Sequence, residues 1–429
     1  MQSSELLLHH FPIEYKEGNL YIEDKKLADI AKTHGTPCYV YSKNYITKAY
    51  ESFKKAFAEF PNNQILYAVK ANSNIGILSL FAKLGSGFDI VSQGELFRVL
   101  KAGGKAENVI FSGVGKTEEE IAYALEKGVK CFNIESESEL YRIDRVAGRL
   151  GKKAPVSFRI NPDVDSHAHE KTSTGKKEHK FGIARERALF MYREAAKCQN
   201  IEIKGIDAHI GSQITEVDPF PQSLDVLLEI VDQLKQEGIH LKHIDIGGGL
   251  GIYYGKNRPE PPSIESYAAK ILEKMRGRTE GLLFEPGRFL IGNAGLLLAN
   301  VEFLKHHAAK NFAIIDAAMN DLIRPTLYSA YHEIINTRQA QEGEEKKIYD
   351  VVGPVCETGD FIGLGRELQV KEGDLLAVLS AGAYGMSMVS NYNSRLKPAE
   401  IMIDGSTEHV IREREKYDDL IQYEKVPNF

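Results

Sequence analysis

The sequence predicts an α/β protein made of a (β/α)8 barrel, the TIM-barrel architecture, and a second, mostly β domain. The first observation that supports the barrel is a repeated alternation of short apolar runs with longer amphipathic stretches. There are eight runs rich in Val, Ile and Phe, at residues 65–72, 86–92, 108–113, 130–136, 156–162, 203–212, 242–249 and 281–288. Strands that alternate with helices pair in parallel, because a parallel connection needs a crossover. Eight such units in about 250 residues have the size of a closed barrel.

The second observation is the position of polar residues at the C-terminal ends of these runs. They are Lys70, Asp89, Ser112, Glu135, Arg159, His209, Gly247 to Gly249 and Glu285. In a closed barrel those ends share one face, where active sites are built. In a doubly wound open sheet, which is the alternative fold, half of them would be remote from any single crevice. The polar residues therefore favour the barrel.

The stretches between the runs have the periodicity of helices. Residues 76–84, 117–127 and 222–237 each place their apolar side chains on one face of a helix. Segment 117–127 also begins with an acidic turn, which stabilises a helix N-terminus. We therefore predict helices over these three segments.

The pattern changes after about residue 290, where strand-like runs follow one another with few helical stripes between them. These runs are 296–304, 311–316, 347–352 and 374–380. Residues 9–42 also contain strand-like pieces, which could pair with the C-terminal sheet because chain ends often meet. We therefore predict N-terminal strands within residues 1–42, a barrel over 43–290 and a β domain over 291–429.

Composition excludes several classes of protein. The 429 residues are 43% hydrophobic and 27% charged, as in ordinary globular proteins. A formal net charge of -6 argues against a general binder of nucleic acid or anionic membranes. No run approaches the ~18 to 20 apolar residues of a membrane span, and the first residues lack the basic region of a signal peptide. Since four scattered cysteines also fit a reducing compartment, we expect a cytoplasmic protein.

Lys70 ends an otherwise apolar strand, and this position suggests a reactive amine. A lysine there is costly to bury unless its charge is lost or paired. A desolvated lysine is an amine nucleophile that can condense with an aldehyde. The ordinary alternative is a lysine that extends its charge from a strand end to solvent.

The cluster Gly247 to Gly251 follows the seventh run and suggests an anion site. Consecutive glycines let backbone N–H groups approach an anion without obstruction by Cβ atoms. Barrel enzymes commonly bind phosphate with the loops after strands seven and eight. A glycine-rich turn without a ligand is the alternative.

Glu285, His209 and Ser212 could complete a cofactor site. A buried carboxylate at Glu285 needs a positive or donor partner, which a protonated pyridine nitrogen or Arg288 would supply. His209 could lie flat on a cofactor ring, and Ser212 could donate to a phosphate. Each of the two could instead be structural.

These residues lie in motifs of a known family. The sequence resembles the group III pyridoxal-phosphate decarboxylases, which have the alanine-racemase fold, over roughly residues 30–410. The motifs are YAVKAN (67–72), GFDIVSQGEL (87–96), RINPDV (159–164), STGKKEHKFGI (173–183), HIGSQ (209–213), GGGLG (247–251), EPGR (285–288), RPTLY (324–328), GPVCETGD (353–360), AGAYG (381–385) and NYNSR (391–395). The resemblance implies pyridoxal 5'-phosphate as the cofactor and a homodimer with shared active sites.

The resemblance also implies roles for individual residues. Lys70 would carry the cofactor, Asp89 would lie near that lysine, and His209 would stack on the ring. The phosphate and pyridine would be held by Ser212, Gly248, Gly249, Glu285, Pro286, Gly287 and Arg288. The substrate would contact Arg288, Arg324, Tyr328, Glu357 and Tyr384, and Tyr384 would also touch the cofactor. Cys356, as proton donor, and Glu357 would enter from the partner subunit.

The implied reaction is decarboxylation of meso-2,6-diaminoheptanedioate to L-lysine and carbon dioxide, the last step of lysine biosynthesis. Arg324 favours this substrate, because a guanidinium binds a carboxylate bidentately and the substrate has a distal carboxylate that ornithine lacks. Asp321 leaves the choice between this substrate and ornithine open, since it could meet a substrate amine or pair with Arg324. The alternatives are a decarboxylase of carboxynorspermidine, ornithine or arginine, an inactive binding homologue, and a racemase.

The polar segment 165–180 is a candidate mobile loop over the site. It contains His167, His169 and His179, but their spacing matches no metal site. We therefore expect no metal.

Overall fold

The computed structural model describes residues 10–166, 180–256, 258–340, 343 and 345–429. Two compact units make up the chain. The barrel unit comprises Ala49–Ile252 and Pro259–Leu290, and the β unit comprises Met1–Lys48, Tyr253–Arg258 and Ile291–Phe429. The boundaries expected from sequence, at residues 42 and 290, stay a prediction.

The barrel unit is built on eight parallel strands that close on themselves. In chain order they are Asn63–Ala68, Gly87–Ile90, Val109–Phe111, Cys131–Ile134, Ala154–Asn161, Ile201–Asp207, His243–Asp245 and Gly281–Phe284. The eighth strand pairs with the first and the fourth pairs with the fifth, so the sheet has no free edge between them. The predicted fold class, a (β/α)8 barrel with a separate mostly β domain, is confirmed.

Helices follow the barrel strands in turn. They are Ile75–Leu84, Gln93–Lys101, Glu118–Lys127, Glu137–Arg149, Ala188–Lys197, Pro219–Gln236, Ile264–Met275 and Arg288–Ile291, and Lys43–Ala56 precedes the first strand. The helix Glu118–Lys127 shows how the sequence sets its ends. The Thr117 hydroxyl accepts from the Glu120 backbone N–H at 3.2 Å, and the Glu120 carboxylate accepts from the Thr117 N–H at 3.0 Å. The helix ends at Gly128, whose φ of 78° is left-handed.

The barrel interior has an apolar base beneath a polar mouth. Its base includes the buried residues Leu66, Ile110, Cys131 and Leu283. Because side chains alternate along a strand, residues two positions further on share the same face. Three of those positions hold Ser112, Asn133 and Glu285. The same strands therefore supply both the core and the polar groups of the mouth.

The β unit contains a sheet of strands from distant parts of the chain. Its order is Phe361–Leu368, Lys347–Val352, Asn311–Ile315, Gly295–His306, Cys38–Ser42, Ala399–Asp404 and Thr407–Arg412. Leu375–Val378 also pairs with Gly295–His306, and Ile334–Asn336 pairs with Leu375–Val378. The N-terminal strand Cys38–Ser42 lies between an antiparallel and a parallel neighbour from the C-terminal part.

The first N-terminal strands pair mainly with one another, and Asn19 also forms an antiparallel bridge with Arg338 of the C-terminal part. Ile13–Lys16, Asn19–Ile22 and Lys25–Lys26 form their own three-stranded antiparallel sheet. Glu17 and Gly18 have φ values of 48° and 76°, as a two-residue hairpin turn requires. Because such a turn closes a very short loop, local pairing costs less chain entropy than pairing with a strand some 300 residues away.

The helices of the β unit are short. They are Leu27–His34, Arg324–Tyr328 and Tyr417–Ile421. Across the described ranges of the chain, no helix has the length and apolar content needed to cross a bilayer.

Candidate active site

Lys70 and Asp89 form an ion pair at the mouth of the barrel. Lys70 lies in a single 3-10 turn, Val69–Ala71, that follows the first strand. Its Nζ donates to Asp89 Oδ2 at 2.5 Å. The Asp89 side chain is fully buried, whereas 32% of the Lys70 side chain is exposed. The lysine charge is therefore paired, and the buried carboxylate holds the amine in place.

The glycine loop after the seventh strand leaves no room for side chains. A Cβ on Gly248 would lie 2.3 Å from the Glu285 carbonyl oxygen. Gly249 has a φ of +109°, and its Cβ would lie 2.6 Å from the Gly211 carbonyl oxygen. Only glycine fits these positions, so the loop backbone can approach an anion directly.

Ser212 and Arg288 lie together beside this loop. Arg288 donates from Nε at 3.3 Å and from Nη2 at 2.9 Å to the Ser212 hydroxyl oxygen. Ser212 directly follows Gly211, whose carbonyl lies against Gly249. The barrel unit thus combines a cation, a hydroxyl and a glycine loop whose backbone is not covered by side chains, which suit a phosphate.

Pro286 and Gly287 join the end of the eighth strand to the end of the first. The Pro286 carbonyl accepts from the Ala68 N–H at 3.2 Å. A Cβ on Gly287 would lie 3.0 Å from the Ala71 Cβ. This tight approach keeps the segment after Glu285 next to the turn that carries Lys70.

His209 has a neutral ring fixed in one tautomer. The Gly248 N–H donates to His209 Nδ1 at 3.3 Å, so the ring proton lies on Nε2. Burial, with the nearby charges of Arg159 and Lys70, holds the pKa of His209 well below its usual value. A neutral aromatic ring is suited to stacking on a cofactor.

Glu285 belongs to a buried cluster of carboxyl groups. Asp207, Asp245 and Glu285 each offer an oxygen within 4.8 Å of the other two. Asn133 Nδ2 donates to Glu285 Oε1 at 3.4 Å. Burial, with the charge of Asp89 next in importance, raises the pKa of Glu285 well above its usual value. A positive group opposite Glu285 would offset the free-energy cost of ionising this buried carboxyl.

Asp207, Asp245 and Asn133 were not among the residues predicted from sequence. Each lies two positions before a residue that the prediction did include, namely His209, Gly247 and Glu135. Since strand side chains alternate, that spacing places each pair on the same inward face. This periodicity was the signal that could have identified them.

Arg159 supports the mouth from the fifth strand. It donates from Nη1 to Glu135 Oε1 and from Nη2 to the His209 carbonyl, both at 3.4 Å. Its Cζ lies 4.9 Å from the centre of the Phe181 ring. The predicted loop 165–180, with its three histidines, falls almost wholly on residues 167–179, which lie outside the described residues.

The other predicted site residues belong to the β unit. Arg324 is buried, and its Nε donates to His332 Nε2 at 3.3 Å. His332 Nδ1 in turn donates to the Leu379 carbonyl at 2.8 Å, which fixes the tautomer that can accept from Arg324. Asp321, whose role the sequence left open, pairs with Arg395 at 3.5 Å.

Cys356 and Glu357 lie in a loop of the β unit. The Cys356 thiol is exposed, and its backbone N–H donates to Asn393 Oδ1 at 3.0 Å. The Glu357 carboxylate raises the pKa of the neighbouring Tyr392 hydroxyl above its usual value. An exposed thiol is accessible for chemistry, as a buried structural cysteine is not.

Tyr384 and Tyr328 complete the predicted set. Tyr384 is half-buried and has a left-handed φ of 55°, which a non-glycine residue adopts only when its surroundings hold it there. The Tyr328 ring centre lies 6.0 Å from Arg324 Cζ. The predicted residues therefore form two sets, one in each unit.

The residues of the barrel unit fit pyridoxal 5'-phosphate, and the fold and site define an enzyme dependent on that cofactor. Lys70 supplies the amine, the glycine loop with Ser212 and Arg288 supplies an anion cradle, and Glu285 supplies a buried carboxyl that needs a cation. A family profile described as "Pyridoxal-dependent decarboxylase, pyridoxal binding domain" matches residues 43–292. The chain belongs to this family, and the predicted family and cofactor are confirmed.

Several proteins similar to this chain are named diaminopimelate decarboxylase. The diaminopimelate decarboxylase of Vibrio cholerae is 53% identical over 412 residues, which are 96% of this chain and 98% of the relative. The crystal structure of diaminopimelate decarboxylase from Helicobacter pylori complexed with L-lysine is 41% identical, has a TM-score of 0.88 and aligns over 93% of this chain and 99% of that one. The corresponding lysine complex from M. jannaschii is 38% identical, with a TM-score of 0.92 over 97% of this chain and 98% of that one.

Proposed function

We propose that this chain decarboxylates meso-2,6-diaminoheptanedioate to L-lysine and carbon dioxide, the last step of lysine biosynthesis. The observation that carries the proposal is the 53% identity, over 96% of the chain, to a relative named for that substrate. Two similar structures are complexed with L-lysine, which is the product of this reaction.

The barrel unit would hold the cofactor and one face of the reacting centre. Pyridoxal 5'-phosphate supplies an electron-withdrawing ring that stabilises the charge left on the substrate when carbon dioxide departs. Lys70 binds it, held ready by Asp89, and Ser212, Arg288 and the glycine loop hold its phosphate. His209 covers one face and excludes water there.

The β unit would supply substrate recognition and the final proton. Arg324, oriented by His332, presents a guanidinium whose planar geometry suits the distal carboxylate of the substrate. The Cys356 thiol delivers a proton to the carbon that has lost carbon dioxide. Glu357 and Tyr384 contact the substrate, and Tyr384 also contacts the cofactor.

Carbon dioxide release from a panel of substrates tests the reaction. We expect release from meso-2,6-diaminoheptanedioate with added cofactor, and little from carboxynorspermidine, ornithine or arginine. Release from ornithine without release from diaminoheptanedioate would remove the specificity argument based on Arg324. Inversion of an amino acid without gas would indicate a racemase, and failure to bind the cofactor would indicate an inactive homologue.

We further propose a homodimer in which Cys356 and Glu357 act in the partner subunit's site. Two inactive variants, Lys70→Ala and Cys356→Ala, should then complement each other in hybrid dimers. Random exchange leaves about a quarter of the sites intact, so about a quarter of the wild-type activity should return. The matched control mixes Lys70→Ala with Glu285→Gln, because two barrel residues from one chain cannot complement across the interface. Subunit exchange without recovered activity, or equal recovery in the control, would contradict shared sites.

We also propose a cytoplasmic location. All four cysteines are free thiols, as expected in a reducing compartment. Cell fractionation with an antibody to the chain would test this, and recovery from a secreted fraction would contradict it.

A further inference from the structure

A cavity of the β unit is lined by three cationic side chains. Its volume is about 490 Å³, within the usual range of small-molecule sites. Three cations, one tyrosine and two carboxylates line it, namely Lys256, Arg258, Arg366, Tyr331, Glu333 and Glu367. All six lie within the ranges of the β unit, and none belongs to the predicted active site. The cavity therefore holds three cations that the proposed reaction does not use.

Arg366 is the buried cation of this cavity. Only 8% of its surface is exposed, and its Nε is buried without a hydrogen bond to any described residue. The guanidinium packs against Gly363, where a Cβ would lie 2.4 Å from Nε, so the arginine fits because that strand residue has no side chain. A buried N–H without an acceptor is costly, and a ligand oxygen would supply the acceptor.

The two carboxylates of the cavity do not neutralise its cations. Glu333 Oε2 accepts from the Tyr331 hydroxyl and from the Lys256 backbone N–H, both at 3.0 Å. Glu367 pairs with Lys346 at 3.3 Å. Over the residues that the structure describes, no carboxylate oxygen lies within 4.0 Å of the charged nitrogens of the three cations. The cavity therefore has positive charge to offer to a ligand.

Tyr331 brings two of the cations together. Arg258 Cζ lies 4.5 Å, and Arg366 Cζ 3.7 Å, from the centre of the Tyr331 ring. Gly255 packs closely on the same ring, since its Cβ would lie 2.7 Å from Tyr331 Cε1. Burial, opposed by Tyr331 and Glu333 and reinforced by Arg258, lowers the pKa of Arg366. An anion beside the two guanidiniums would offset both their repulsion and the cost of burial.

We propose that this cavity binds the phosphate group of a small molecule. Three cations without a counter-charge require an anion with two or more charges, whereas a carboxylate carries one. A phosphate dianion also has enough oxygens to accept from two guanidiniums and an ammonium at once. Ile334 and Leu364, which line the cavity as well, offer apolar surface to the rest of the molecule.

Isothermal titration calorimetry of the cofactor-saturated protein tests the site. Saturation fills the phosphate site of the cofactor, so added phosphate reports on the cavity. The probes are inorganic phosphate, phenyl phosphate and acetate at low salt and about pH 8, where phosphate is a dianion. We expect phosphate to bind with a dissociation constant below about 10 mM, at least about fivefold more tightly than acetate.

The two phosphates identify the source of the phosphate group. Tighter binding of phenyl phosphate would identify a phosphate ester as the ligand, because only the ester reaches the apolar surface. Equal binding would identify inorganic phosphate. Both results support the proposal.

Two variants locate the binding. Arg366→Gln removes the buried guanidinium and should raise the dissociation constant of phosphate by about tenfold or more. Arg258→Gln removes an exposed guanidinium and should raise it by about threefold or more. Arg276→Gln is the matched control, because Arg276 is an exposed arginine of the barrel unit, and it should keep the wild-type constant.

Three results would overturn the proposal. They are no binding of phosphate to the wild-type protein, acetate binding as tight as phosphate binding, and equal phosphate affinity in wild type and Arg258→Gln. If Arg366→Gln fails to fold, Arg258→Gln decides the question, because an exposed side chain is replaced without loss of core packing. Calorimetry does not depend on decarboxylation, so failure of this inference is distinguishable from failure of the proposed function.

Discussion

At the scale of single residues, the Lys70 amine is held by a carboxylate that solvent does not reach. Asp89 lies at 0% exposure and its Oδ1 receives no hydrogen bond within the part of the chain that the structure describes. Removing the lysine would leave that charge without its partner, which is costly in a buried position. The pair therefore links cofactor binding to the stability of the barrel mouth.

We predict that Lys70→Ala abolishes the absorbance of bound cofactor and lowers the rate of decarboxylation at least about a hundredfold. Absorbance spectra of the purified variant, and its rate of carbon dioxide release, measure the two effects. Lys83→Ala is the control, because Lys83 is an exposed lysine on the next helix. Unchanged absorbance in Lys70→Ala would show that another amine binds the cofactor.

Arg324 illustrates specificity at the same scale. We predict that Arg324→Lys raises the KM for meso-2,6-diaminoheptanedioate by about tenfold or more, since an ammonium loses the bidentate contact and the hydrogen bond to His332. Steady-state kinetics with this substrate measure the change. Arg412→Lys, whose parent side chain pairs with Glu415 at 3.5 Å, should keep the wild-type KM. An unchanged KM in Arg324→Lys would remove this residue from the substrate site.

The residues missed by sequence reasoning share a physical reason. Lys70, Asp89, Glu285 and the glycines stand out because they interrupt apolar strands at the ends where sites form. Asp207, Asp245 and Asn133 lie deeper, and their importance depends on the closure of the barrel, which brings the neighbouring strands together. The tautomer of His332 likewise follows from a contact with Leu379 that no sequence pattern indicates.

At the scale of elements, the helix Glu118–Lys127 depends on its N-terminal cap. We predict that Thr117→Ala lowers the free energy of unfolding of the barrel unit by about 1 kcal/mol, because the Glu120 backbone N–H loses the hydroxyl that accepts from it. Urea unfolding followed by far-UV circular dichroism measures it. Thr117→Ser is the matched control, since serine keeps the hydroxyl that accepts from Glu120. Equal losses in the two variants would show that the cap is not the cause.

The elements themselves were largely predictable. All eight apolar runs overlap a barrel strand, and the three predicted helices are found within a few residues of the expected positions. The spacing of the apolar residues predicts these elements, because each strand buries its apolar side chains whichever strand it pairs with. Pairing between Asn19–Ile22 and its neighbours was not predictable from that period, since it depends on the turn at Glu17 and Gly18.

At the scale of the whole molecule, the buried carboxyls set a pH dependence. Burial raises the pKa of Asp245 from 3.8 to about 7, so the folded chain holds this proton more tightly than the unfolded chain. The resulting stabilisation is complete below about pH 4 and is lost as the pH rises through about 7.

We therefore predict that Asp245→Asn, in cofactor-free protein, gains about 2 kcal/mol or more of unfolding free energy relative to wild type between pH 4 and 8. Denaturant unfolding at several pH values measures the difference. Asp225→Asn, which alters a half-exposed carboxylate paired with Lys274, should follow the wild-type curve. Parallel curves for Asp245→Asn and wild type would mean that Asp245 titrates normally in the folded chain.

The position of the strand Cys38–Ser42 determines which unit can fold first while the chain is being synthesised. Both of its neighbours, Gly295–His306 and Ala399–Asp404, are synthesised hundreds of residues later. The β unit cannot be completed before residue 404 has left the ribosome, whereas every strand of the barrel has emerged by residue 284. During translation the barrel can therefore fold first. Until the later strands are synthesised, the backbone edges of Cys38–Ser42 stay unpaired.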